Sequence, residues 1–89
     1  MITKDILIIN RLGLHARAAT KLAKTAGQFG AKITIQFGSA SADAKSVMSL
    51  MLLAATKGTN LTISGDGKDE QEALQAIEDL INDRFGEDE

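Results

Sequence analysis

The chain has 89 residues, 44% of them hydrophobic, with no Cys, Trp or Tyr, three Phe and a formal net charge of −2. That is one small domain over residues 1–89 with an aliphatic core, burying about 60–65% of its unfolded surface. Lack of cysteine excludes a disulfide framework and thiolate metal sites and fits a reducing cytoplasm, while the weak net charge argues against a general nucleic-acid binder.

In chain order, Ile6-Leu7-Ile8-Ile9 reads as a short buried strand ending at Asn10. The segment before it lacks a basic region followed by a long apolar run, so no signal peptide is expected. After His15 the pattern turns helical: Ala19, Leu22, Ala23 and Ala26 form an i, i+3, i+4, i+7 stripe, and Gly27 and Gly30 are stop signals, predicting a helix to about Gln28. The alternation of residues 31–37 is the clearest strand signal. Gly38-Ser39 turns the chain, and Ala40-Ser41-Ala42 is a weak hairpin partner. Ser46 suits an N-cap for a second helix from Val47 to about Ala55, too short to span a bilayer. Asn60–Ser64 is a further strand, with a turn at Gly65-Asp66-Gly67.

Asp69 and Glu72 read as a capping box opening a last helix, whose stripe is Leu74, Ile77, Ile81 and Phe85. The tail Gly86–Glu89 is expected to fray. The order is β-α-β-β-α-β-α, suggesting one four-stranded antiparallel sheet covered on one face by three helices. By pattern alone, a ferredoxin-like arrangement fits nearly as well.

His15 is the only histidine. It falls at or beside a helix N-cap, where unpaired amides and the positive end of the helix dipole favour an anion. Arg17, Lys21 and Lys24 share a basic helical face, and guanidinium is well suited to phosphate oxygens. An unprotonated imidazole can be a nucleophile. The plain alternative makes His15 a mere cap. Charge is also divided: residues 1–57 carry eight Lys/Arg and two acids, residues 58–89 two and ten. This suggests a basic face around His15 that steers acidic partners, and an acidic face formed by the last helix.

Asn10-x-Leu12-Gly13-Leu14-His15-Ala16-Arg17, between an apolar strand and a basic helix, resembles the active-site motif of the HPr family, the histidine-containing phosphocarriers of the bacterial phosphoenolpyruvate-dependent phosphotransferase system. Lys45-Ser46-Val47-Met48-Ser49-Leu50-Met51 resembles that family's second helix with its regulatory serine, and Ala54-Ala55-x-Lys57-Gly58-Thr59 its link into the last strand. The resemblance covers essentially the whole chain. It implies the α+β open-faced β-sandwich, and a cytoplasmic, monomeric, stoichiometric carrier rather than an enzyme, with no cofactor and no metal.

It further implies His15 as phosphoryl acceptor through Nδ1, Arg17 offsetting charge on the transferring group, and the Ala16 amide as a donor. Enzyme I would be the phosphoryl source and enzyme IIA domains the recipients. Ser46, besides capping its helix, would be a regulatory site for an HPr kinase/phosphorylase. Val47, Met48 and Met51, with Thr20, Lys24 and Lys45 at the rim, would dock partners, a task that suits adaptable methionines. The family commonly has proline where this chain has Ala18. Alanine is a strong helix former, so an intact but slightly less rigid helix start is expected.

A nitrogen-related paralogue would share this chemistry but serve regulation. From the residues alone, a binding module docking through the Met-bearing helix, or a small acid/base enzyme using His15, stay open.

Overall fold

A computed structural model describes residues 1–88, and its elements are β1 (Ile2–Leu7), α1 (Ala16–Ala26), β2 (Lys32–Phe37), β3 (Ala40–Asp43), α2 (Val47–Leu52), β4 (Asn60–Asp66), α3 (Glu70–Asn82) and a closing 3₁₀ turn (Arg84–Gly86). The sheet order is β1-β4-β2-β3 with every neighbour antiparallel. The pairings Ile6↔Leu61, Ile63↔Ile35 and Ile35↔Ala42 put a continuous apolar layer on one face. The helices pack on that face. The other is polar, where Thr62 Oγ1 donates to Asp5 Oδ1 at 2.9 Å. This is the α+β open-faced sandwich; β1 and β3 form its edges.

Element boundaries differ from those expected, each for a visible reason. The first strand starts at Ile2 rather than Ile6, because Lys4, on the inward-facing register with Ile2 and Ile6, carries its ammonium out to Glu78 of α3 at 3.0 Å. The expected turn at Gly65-Asp66 is instead the end of β4, Gly65 pairing with Ile2 and Ile33. A Cβ there would meet Leu74 Cγ at 3.3 Å, so glycine lets α3 lie close to the sheet without Leu74 having to shift. The first helix ends at Ala26, where Gln28 N–H turns to Thr25 O. The second ends at Leu52, since Ala54 takes a left-handed backbone, φ 53°.

The capping box does not form. Asp69 occupies the N-cap of α3 without a side-chain cap bond. Its carboxylate instead accepts from the Gly30 and Ala31 amides, both at 2.8 Å, tying the α1–β2 connection to the start of α3. Phe85 does not extend the α3 stripe either. Arg84 and Phe85 both adopt left-handed φ (54° and 55°), turning the chain back over the core so that the phenyl ring is fully buried. Bulky residues rarely adopt that conformation; burial of the ring offsets it, at roughly 3–5 kcal/mol for a Phe→Ala truncation.

The amide of Gly30, opposed by partial desolvation and helped by Ala31 and the Lys45 charge, holds the Asp69 carboxyl below its ordinary range. A depressed carboxylate pKa contributes stability that is present above the ordinary value and lost as pH falls through the folded one. Asp69→Asn should therefore lower Tm at neutral pH, with the gap from wild type closing as pH drops through about 4 and below. Thermal unfolding of both proteins across that range checks it.

Candidate phosphoryl site

The site is built on the loop joining β1 to α1. After Ile8, whose carbonyl accepts from Gly58 N at 2.8 Å, the chain runs inward to Asn10, which is completely buried. Asn10 Nδ2 donates to Gly13 O at 2.8 Å, and Gly13 N donates back to Asn10 O at 3.2 Å, closing a tight turn. Gly13 has φ +67°, and a Cβ on it would lie 2.4 Å from Ala55 O and 2.8 Å from Thr56 Cα. Only a residue without a side chain lets the loop sit that close. Leu14 N then reaches Ala55 O at 2.8 Å, and the Leu14 side chain enters the core.

His15 follows as the N-cap of α1 (φ −77°, ψ 179°), its carbonyl accepting from Ala19 N at 2.8 Å. Its side chain makes no capping bond, so the ring is not a mere cap. The amides of Ala16 and Arg17, first in the helix, have no intrahelical acceptor. Ala18 is fully buried and the helix begins at Ala16, so alanine supports the expected start. Arg17, Lys21 and Lys24 are all exposed. His15, Arg17, Ala16, Arg11 and Leu12 line an open cleft of about 620 Å³, together with Glu87 and Asp88.

Glu87 departs from the expectation of a frayed tail; Asp88 is exposed, and Glu89 lies outside the described residues. Glu87 Oε2 is hydrogen-bonded to His15 Nε2, and Glu87 Oε1 accepts from Asn10 Nδ2 at 3.1 Å. The Glu87 and His15 side chains are 14% and 27% exposed. Phe85 anchors the segment, and Lys21 Nζ donates to Phe85 O at 2.6 Å. Desolvation acts to raise the Glu87 carboxyl, but the hydrogen bonds from Asn10 and His15, with the charges of His15 and Arg17, together hold it below the ordinary range. The acids are thus not confined to a face of their own: two of them line the His15 cleft. Among the sequence-derived candidates neither Glu87 nor Asp88 appears, and the only signal for them was the acidic run after Phe85.

The remaining candidates lie beyond the cleft. Ser46 caps α2 as expected, its Oγ accepting from Ser49 N at 3.3 Å. Thr20 is exposed, with Oγ1 donating to Ala16 O at 2.8 Å; exposed Lys45 donates from Nζ to Phe29 O at 2.8 Å. On α2, Val47 packs against the core, whereas Met48 (71% exposed) and Met51 stand out with Leu52 (81%). Leu52, left out of the docking set, is the most exposed of these. α1 packs on α2, so the helix that starts after His15 and the helix that bears this apolar patch are neighbours in the helical layer.

A family model described as the PTS HPr component phosphorylation site matches residues 2–83. The chain belongs to the HPr family, the phosphocarriers of the phosphotransferase system. A phosphocarrier protein HPr from Neisseria meningitidis is 48% identical over 89 residues, covering all of both chains. A phosphocarrier protein NPr from Shewanella violacea is 46% identical over 84 residues, covering 94% of this chain and 92% of its own. The crystal structure of an HPr from Thermoanaerobacter tengcongensis superposes with a TM-score of 0.96 at 38% identity, covering both chains fully. The HPr fold therefore extends to this chain throughout, and among the described residues no helix is long and apolar enough to cross a membrane.

The loop geometry makes Gly13→Ala a direct test of what holds the HPr site in place. The φ strain and the backbone clash should together cost roughly 2 kcal/mol or more. Chemical denaturation would show the loss, and faster hydrogen exchange at the Leu14 amide would show that its bond to Ala55 had loosened.

Proposed function

We propose that His15 accepts a phosphoryl group on Nδ1 from phosphorylated enzyme I and passes it to enzyme IIA domains, the chain acting as a monomeric, cytoplasmic, stoichiometric carrier. The observation that supports this reading is the pairing at the imidazole. Nε2 is occupied by Glu87, while among the described residues nothing hydrogen-bonds Nδ1. Beside the ring lie the Ala16 and Arg17 amides at the positive helix end and the exposed Arg17 guanidinium. Positioned donors and positive charge are what a transferring phosphoryl group requires.

Docking in this reading uses Met48, Met51 and Leu52 with Val47 at their base, rimmed by Thr20, Lys24 and Lys45. Ser46 is the regulatory position. A phosphate there sits at the N-terminus of α2, where it can be accommodated while altering the patch beside it. A second reading, the nitrogen-related branch, is favoured by the similarity to the Shewanella NPr. Both branches use the same histidine chemistry, and partner choice separates them.

Incubation with phosphoenolpyruvate and enzyme I, read by intact mass, should add one acid-labile phosphoryl group to wild type and none to His15→Ala. Running sugar-type and nitrogen-type enzyme I side by side assigns the branch. No adduct from either, with the protein folded, would leave the binding-module reading in front. Met48→Glu should raise KM for the carrier roughly tenfold, as expected for loss of a central apolar contact, with kcat and Tm little changed.

A further inference from the structure

The proposed transfer uses one ring nitrogen of His15 and leaves open why the other is tied down. The tie is a built arrangement of groups far apart in sequence. Glu87 Oε2 partners His15 Nε2, and Glu87 Oε1 is held by Asn10 Nδ2 at 3.1 Å. Asn10 is fully buried, and the same Nδ2 donates to Gly13 O at 2.8 Å. Its Oδ1 is buried with no partner among the described residues. A buried acceptor without a donor is costly, so the side chain is positioned for what Nδ2 holds. The tail that carries Glu87 is fixed in turn by the buried Phe85 ring and by Lys21 on Phe85 O.

An ionised carboxylate can only accept, so the hydrogen shared with Nε2 belongs to the ring, and a neutral ring then has its lone pair on Nδ1. We infer that Glu87 is a positioning residue for phosphoryl transfer: it selects the tautomer whose lone pair lies on Nδ1 and offsets the positive charge the ring gains on bonding phosphorus. The inference rests on the carrier reading above. In the step, the Nδ1 lone pair forms the N–P bond while the bond from phosphorus to the donor's leaving atom breaks. That electron pair stays with the donor, and the hydrogen stays on Nε2 facing Glu87. Asn10 acts at one remove, by orienting the carboxylate. The logic is that of a carboxylate behind a metal-bound or catalytic histidine, which sets the ring's orientation and its basicity.

The test compares full-length wild type, Glu87→Gln and Glu87→Asp. Initial rates of phosphorylation by enzyme I with phosphoenolpyruvate are measured at varied carrier concentration, and the His15 ring nitrogens are followed by NMR. Glu87→Gln should lower kcat roughly tenfold, the low end for loss of such a partner, and leave KM unchanged, because Glu87 is not among the proposed docking residues. Glu87→Asp should recover part of the rate. The ring should pass from a single Nε2–H tautomer in wild type to a mixture in Glu87→Gln. An unchanged kcat in Glu87→Gln, with wild type phosphorylated normally, would overturn the inference and leave the carrier reading intact. So would a loss expressed only in Tm or KM, which is the signature of a structural strap. If wild type itself accepts no phosphoryl group, the carrier reading fails instead, and the nitrogen spectra, recorded without enzyme I, still decide the tautomer.

Discussion

The site depends on the contact between the 10–14 loop and the 54–56 segment. Gly13 presses its Cα against the Ala55 carbonyl, and Leu14 N–H donates to that same oxygen. This sets two elements at once. It fixes where α1 begins, and so the direction in which the His15 ring leaves the helix. It also goes with the short α2, because Ala54 turns left-handed just before Ala55 meets the loop. Had α2 continued through residue 59, the Ala55 carbonyl would have been committed to the helix rather than to Leu14.

Charge in this protein works by placement more than by total. The amino-terminal two thirds is basic and the remainder acidic, yet the two do not simply form opposite faces. The left-handed pair Arg84 and Phe85 turns the acidic end back over α1. There Lys21 is used on a tail carbonyl rather than kept for solvent, and Glu87 lies against His15. Arg17 keeps an exposed guanidinium beside the cleft while its charge helps hold Glu87 ionised. The cleft therefore presents the exposed Arg11 and Arg17 and the first amides of α1, while the Glu87 carboxylate is engaged on His15 Nε2.

The second helix shows a comparable division of labour. Six residues suffice to bury Leu50 and rest Val47 on the core, which leaves Met48, Met51 and Leu52 exposed. A helix with apolar residues nearly all round is ordinarily a buried one. Placed at the margin of a one-sided sandwich, it has only one side to bury. The exposed remainder is an apolar patch on the helix that packs beside α1.

How much of this was legible in the residues follows from the range of the forces involved. Local patterns determined the elements and their order: the alternation of 32–37, the stripe through Ala19, Leu22, Ala23 and Ala26, the N-cap at Ser46. They also marked His15 at a helix start, because capping and dipole effects act within one turn. What failed were the features that depend on a distant partner. Asp69 carries a capping sequence but serves Gly30 and Ala31, nearly forty positions earlier, because folding brings competing amides to its carboxylate. Phe85 continues a helical stripe on paper, yet enters the core through a reversed backbone that no periodicity encodes. Glu87 lies 72 residues from His15. Its contact exists only because the buried Phe85 ring holds the tail across the first helix. The sequence by itself determined which residue could carry the chemistry; the tertiary structure alone decided what stands behind it, because that partner comes from the opposite end of the chain.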